Sequence, residues 1–180
     1  MELETLAAFY GNGSDQLHLA FNFPFMFAGL DAGALGGVVQ RTEELMPAGA
    51  SLVWALSNHD VVRFPTRICE EDDARVKCAL VVLLGLHGTP VLDYGDELGL
   101  HQVEIPDDVD WRAPWLPPGR GVASVAAQRE DPGSVLSFCR ELVALRRRRN
   151  DLSHGATSSS TLPPGSGPGG ADRRPSSRSS

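Results

Sequence analysis

The hydrophobic period switches repeatedly between that of a helix and that of a strand, and this alternation limits the chain to a parallel α/β arrangement. Leu3, Leu6, Ala7 and Tyr10 fall at helical spacing and stop at Gly11, after which Leu17, Leu19, Phe21 and Phe23 line one face of a strand predicted over 17–23. Leu35, Val38, Val39, Leu45 and Met46 then repeat at helical spacing from a cap at Asp31 to Pro47, although Gly33, Gly36 and Gly37 each weaken that helix by about 1 kcal/mol relative to Ala. A strand over 51–57 follows. Glu70, Glu71, Asp72 and Asp73 suit the start of a helix running to about Leu86, because acids complement its unpaired N–H groups and positive dipole end. The third strand, over 89–93, is entered through Gly88 and left through Gly95. After a long loop, Asp131-Pro132 offers a cap and a proline at the first helical position, and Val135, Phe138, Cys139, Leu142 and Leu145 form the inner face of the last helix.

Strand, helix, strand, helix, strand, loop, helix amounts to three βα units in a row, and such units build a parallel sheet. An open doubly wound sheet and an arc of a (β/α)₈ barrel both satisfy the pattern. No GxGxxG follows any strand, which removes the main reason to favour a dinucleotide fold.

The final stretch breaks the pattern. Over 153–180 the chain is nearly all Ser, Gly and Pro, with Leu162 its only large apolar side chain, so it cannot bury enough area to offset its ordering entropy and is expected to be a disordered tail. The domain proper is therefore expected over 1–152. The formal charge of −7 falls on that part, since the tail sets Arg173, Arg174 and Arg178 against Asp172, and a nucleic-acid partner is not expected. Arg146 to Arg149 fall in the last turn of a helix, where cations complement the dipole.

Cys69, Cys78 and Cys139 are odd in number and lack CxxC spacing, which points to reduced, buried thiols. The longest apolar stretch, over 79–86, is far short of the roughly 20 residues needed to cross a bilayer, and acids stand at the N-terminus where a signal peptide carries bases. These features suggest a cytoplasmic protein without a membrane partner. His18, His59, His87, His101 and His154 show no HxxxH or HExxH spacing, and neither a metal nor another cofactor is expected.

Polar groups concentrate where the second strand ends, in Ser57-Asn58-His59-Asp60-Val61-Val62-Arg63. The carboxyl end of a parallel strand is where α/β folds build their sites. Taken alone, Asn58-His59-Asp60 is equally a loop whose side chains cap its own backbone.

Asn58-His59-Asp60, followed by the run from Gly88 to Leu100 (GTPVLDYGDELGL), resembles two landmark segments of the α-amylase superfamily, at its seventh and eighth barrel strands. The stretch over 131–150 is similar to the last barrel helix of maltases and oligo-1,6-glucosidases, and LHLAFNFPF over 17–25 to their sixth strand. The resemblance implies an α/β fold of three βα units matching strands six to eight of a (β/α)₈ TIM barrel, incomplete, and a retaining hydrolase of α-linked glucosides. In that family an Asp nucleophile follows the fourth strand, a Glu acid/base the fifth and a second Asp the seventh. Asp60 occupies the last position, where it implies hydrogen bonds to sugar hydroxyls that strengthen as the ring flattens toward an oxocarbenium ion. His59 would bond the same sugar, and Arg63 or Arg67 would reach substrate or hold a carboxylate.

The stretches that carry the nucleophile and the acid are absent from residues 1–180, so the chain alone is expected to be inactive, with an α-glucoside oligosaccharide as ligand and the missing N-terminal half of the barrel as partner. The alternative is a non-catalytic sugar-binding remnant in which His59, Asp60 and Trp111 or Trp115 form a stacking platform. Asp93 stands where the family commonly has Tyr, and Asp96 and Glu97 match a loop whose acids serve structure or outer sugars. Phe21, Phe23 and Trp54 are expected to point into the barrel and to lose the packing of its opposite wall, leaving a marginal fold with open strand edges.

Overall fold

The computed structural model describes residues 2–13, 15–103 and 124–154. Trp111, Trp115 and the stretch over 155–180 lie outside them. In chain order the helices and strands are α1 (Leu3–Tyr10), α2 (Phe23–Phe27), α3 (Ala32–Leu45), β1 (Val53–Ala55), α4 (Phe64–Arg67), α5 (Asp73–Gly85), β2 (Thr89–Val91), α6 (Val125–Gln128), α7 (Val135–Arg148) and α8 (Asn150–His154), with a 3-10 turn at Asp96–Leu98.

β1 and β2 pair in parallel, Val53 opposite Thr89, Trp54 opposite Pro90 and Ala55 opposite Val91. The connection between them carries α4 and α5, as a parallel pair requires. Gly88 makes the pairing possible. At φ +113° it sits so close that a Cβ there would fall 2.5 Å from the Leu52 carbonyl, the same oxygen that accepts the Thr89 N–H at 2.7 Å.

Leu52, Trp54 and Leu56, spaced two apart, present one face of β1 to a core completed by Phe25 of α2, Leu35 of α3, Val76, Ala79, Leu80 and Leu83 of α5, and Val135 and Cys139 of α7. Trp54 therefore faces the helix layer and not a barrel interior. It is fully buried, meets Phe25 edge-on with ring centroids 4.9 Å apart, and donates its indole N–H to the His87 carbonyl at 2.6 Å. Phe21 is 43% exposed, and Phe23 begins a helix.

The strand expected over 17–23 is reduced to one isolated parallel bridge, Phe21 to Val53. Asn22 ends it. Its side-chain oxygen accepts the Phe25 N–H at 3.0 Å and its amide donates to Thr42 Oγ1 at 2.9 Å, while Pro24 occupies the first turn, so the chain enters α2. The strands over 51–57 and 89–93 are realised as three residues each, within the expected stretches.

α1, α3 and α5 follow the sequence pattern closely. α1 stops at Gly11, φ +60°, and Tyr10 ties it to the sheet entrance by donating to the Ser51 carbonyl at 2.9 Å and accepting the Ala20 N–H at 3.1 Å. Asp31 caps α3 by accepting the Ala34 N–H at 2.9 Å. At α5 only Asp72 caps, accepting from Arg75 N at 2.8 Å. Glu70 and Glu71 lie in a left-handed turn before it, at φ 54° and 60°, with Glu70 paired to Arg75 at 2.9 Å.

α7 starts later than Asp131-Pro132 suggests. Ser134 is its cap, and the Asp131 carboxylate instead accepts the Gly133 N–H at 2.8 Å. Arg146, expected as a last-turn cation of its own helix, is 8% exposed and serves another one. Its guanidinium donates to the Leu84 and Leu86 carbonyls at the end of α5, each at 2.7 Å, and to those of Gly88 and Leu152 at 2.5 and 2.9 Å. The three cysteines are free. Cys69 and Cys139 are buried, which pushes each thiol up to about 11, whereas Cys78 is exposed on α5, contrary to the expectation that all are buried.

Candidate functional site

β1 delivers the chain to its carboxyl end through buried Leu56 and Ser57, and the next residues form a short polar loop before α4. The Ser57 hydroxyl accepts the Phe64 N–H at 3.1 Å, which closes the loop across its base. Within it the Asn58 side-chain oxygen accepts the Asp60 N–H at 2.9 Å, an Asx turn that constrains the backbone at Asp60. His59 Nε2 and Asp60 Oδ1 stand 3.5 Å apart with side chains 88% and 74% exposed, so both present free polar atoms to whatever occupies the space above the strand end.

Arg63 is turned away from them. Its Nη1 donates to the Tyr94 carbonyl at 2.5 Å, and its backbone N–H donates to Gln102 Oε1 at 3.3 Å, so it ties α4 to the segment that follows β2. Arg67 donates to backbone carbonyls. Nη2 donates to the Leu56 carbonyl at 2.5 Å, Nη1 to Met26 at 2.8 Å and Nε to Val62 at 3.2 Å, with the guanidinium carbon 5.8 Å from the Phe27 ring centroid. The sequence holds only a weak sign of this role, an arginine in the last turn of a four-residue helix after two apolar positions.

The loop after β2 supplies a buried acid beneath the same region. Asp96, 1% exposed, accepts the Asp93 N–H on Oδ2 at 3.0 Å, and Glu97 accepts the Gly95 N–H at 3.0 Å. Burial raises the Asp96 carboxyl to about 6 against the opposing pull of the Asp93 N–H and of the nearby Ser57 hydroxyl. The nearby Asp93 charge adds to the rise and that of Arg63 resists it. Gly95, φ +91°, lets Leu100 fold back over this turn, since a Cβ there would lie 2.3 Å from Leu100 Cδ1. Asp96 and Glu97 thus do structural work, one of the two alternatives the sequence leaves for them.

A cavity of about 630 Å³ opens elsewhere, between the end of β2 and α7, lined by Leu92, Glu97, Leu136, Cys139, Val143 and Arg147. Neither His59 nor Asp60 borders it. Among the described residues no three His, Cys, Asp or Glu side chains converge as a metal site would require, and no helix is long and apolar enough to cross a membrane.

The model of the α-amylase catalytic domain matches residues 5–116. The chain belongs to the α-amylase family. This α-amylase-family chain is 28% identical to a probable alpha-glucosidase of Rhizobium meliloti (strain 1021), over 83% of its own length and 34% of the relative's. It is 29% identical to the trehalose synthase of Thermus thermophilus, over 81% of its length and 21% of that protein's. Among solved structures it superposes on XgtA, an alpha-glucosyl transfer enzyme, with a TM-score of 0.72 and 28% identity, covering 84% of this chain and 35% of that one. The α/β fold is accordingly that of the α-amylase barrel enzymes, and the chain spans about a third or less of the length of these relatives.

Proposed function

We propose that residues 1–152 are the arc of an α-glucosidase-like (β/α)₈ barrel holding its sixth to eighth strands, and that the chain contributes the transition-state-stabilising carboxylate of a retaining α-glucosidase. The observation that carries this reading is the Asx-braced loop at the carboxyl end of β1, which presents Asp60 and His59 unencumbered in a chain of α-amylase family. Support also comes from the relatives, described as a probable alpha-glucosidase and an alpha-glucosyl transfer enzyme.

In this reading Asp60 accepts hydrogen bonds from two hydroxyls of the glucosyl ring. Those bonds tighten as the ring flattens and its hydroxyls grow more acidic, so they lower the barrier more than they lower the ground state. His59 donates to the same ring, and Arg63 holds the neighbouring segment at the Tyr94 carbonyl at the site's edge. Retention needs an attacking carboxylate and a proton donor about 5 Å apart. Asp60 supplies neither, so in this reading the attacking carboxylate and the proton donor come from the other strands of such a barrel. The free cysteines fit the proposed cytoplasmic setting.

The test mixes the purified chain with the N-terminal two-thirds of a related α-glucosidase and follows glucose release from maltose. The expected outcome is no turnover by the chain alone, turnover by the mixture, and loss of about a hundredfold to a thousandfold in kcat when Asp60→Asn is used, a magnitude typical of removing a transition-state contact of this kind. Calorimetric binding of maltose by the chain alone, with no turnover in any mixture, would favour a non-catalytic sugar-binding role instead.

A further inference from the structure

The loop that presents Asp60, besides its Ser57 and Gln102 contacts, is gripped at both ends by one side chain outside it. Its two feet are the carbonyls of Leu56, before Ser57, and of Val62, after Val61, and the Arg67 guanidinium donates to both, Nη2 at 2.5 Å and Nε at 3.2 Å. The remaining nitrogen, Nη1, donates at 2.8 Å to the Met26 carbonyl in α2, so the loop is fixed to the helix preceding it in space as well as closed on itself. A planar fork with donors at fixed angles can bridge three carbonyls on separate segments, and an ammonium group at the end of a flexible stem cannot hold the same three. The guanidinium also lies against Phe27, 5.8 Å from its centroid. Asp60 itself makes the Asn58 contact and the His59 approach within the loop, so its placement relative to β1 follows from these two feet together with the Ser57 contact that closes the base.

We infer that Arg67 is a positioning residue for Asp60: it sets the height and direction of the Asn58-His59-Asp60 loop above β1 and anchors that loop to α2. The purpose of this device rests on the reading of Asp60 as a sugar-binding carboxylate, whereas its geometry does not. Among the described residues Arg146 likewise donates to a cluster of carbonyls, bracing the end of α5 and Leu152 of α8, which makes it a control for general loss of stability.

The experiment compares the full chain with Arg67→Ala, Arg67→Lys and Arg146→Lys, reading backbone amide exchange at Asp60 and Val61 by NMR alongside exchange at Trp54 and Leu80, and maltose affinity by calorimetry. Arg67→Ala is expected to speed exchange at Asp60 at least tenfold while Trp54 and Leu80 keep their protection, to weaken maltose binding at least tenfold, and to recover both on addition of millimolar guanidinium, an agent that only harms a chain that is merely unstable. Arg67→Lys should fall between, and Arg146→Lys should leave the loop amides unchanged relative to Trp54. The inference is overturned by unchanged exchange at Asp60 in Arg67→Ala, or by loop and core amides speeding together as in Arg146→Lys without rescue. Should the unaltered chain bind no maltose while Arg67→Ala still frees the loop, the positioning role stands and the sugar-site reading falls.

Discussion

The side-chain oxygen of Asn58 accepts the backbone N–H of Asp60 at 2.9 Å. This contact makes the tripeptide a turn of its own, and Asn58→Ala removes the acceptor while leaving Asp60 chemically intact. The expected cost in stability is about 1 kcal/mol or less, because the freed N–H is exposed and water replaces the lost partner. In the complemented enzyme kcat/KM for maltose should fall about tenfold, measured beside Asp60→Asn, whose loss should be far larger.

Trp54 fills the centre of the core and its indole N–H meets the His87 carbonyl at 2.6 Å. Trp54→Phe keeps most of the apolar contact with Phe25 but leaves that carbonyl without its donor, so urea unfolding should shift by roughly 1–3 kcal/mol. Trp54→Ala adds a cavity and should cost about 3–5 kcal/mol. Similar midpoints for the two variants would mean that the ring's volume matters little here.

Arg146→Met is the sharper test of the helix layer. Methionine fills comparable space but donates nothing, so the carbonyls of Leu84, Leu86, Gly88 and Leu152 lose a shared donor at once. With unsatisfied buried groups costing roughly 1–3 kcal/mol each, a loss of at least about 3 kcal/mol is expected, and amide exchange should rise first at the end of α5 and at Gly88. A destabilisation below about 1 kcal/mol would show that water reaches these carbonyls.

Asp96 has a folded-state carboxyl raised to about 6 from an ordinary value near 3.8. The folded chain therefore holds its proton more tightly than the unfolded chain does, and stability attributable to this group is present below about pH 4 and lost as pH rises through about 6. Asp96→Asn removes that dependence. Relative to the variant, the unaltered chain should lose on the order of 3 kcal/mol between pH 4 and pH 7, read from urea midpoints across that range. The opposite slope would mean that the Asp93 N–H and Ser57 hydroxyl outweigh burial.

Where local chemistry alone decides an element, the sequence is a good guide. Asp31 and Asp72 cap helices whose apolar spacing is plain, Gly11 ends α1, and Gly88 and Gly95 bracket β2, because each acts on neighbours within a few residues. The alternation of Leu17, Leu19, Phe21 and Phe23 misleads for the same reason in reverse: Asn22 and Pro24 terminate the extended run, a local signal that outcompetes the period of two. Trp54 alternates with its neighbours as a strand residue must, yet which side meets the helices depends on α2 and α5 arriving there, and nothing within 51–57 encodes that. Asn58, His59 and Asp60 are legible as a group because they are contiguous. Arg67 and Arg146 are not, since the carbonyls they join lie up to 41 and 62 residues away in the chain.

The contrast among the cysteines gives the molecule a built-in clock for its own opening. A maleimide at neutral pH should mark Cys78 within seconds, because that sulfur stands in solvent. Cys69 and Cys139, whose thiols resist ionisation, can be marked only when the packing around them parts. Timing the second and third additions by mass spectrometry therefore times how often the core that holds Cys69 and Cys139 opens.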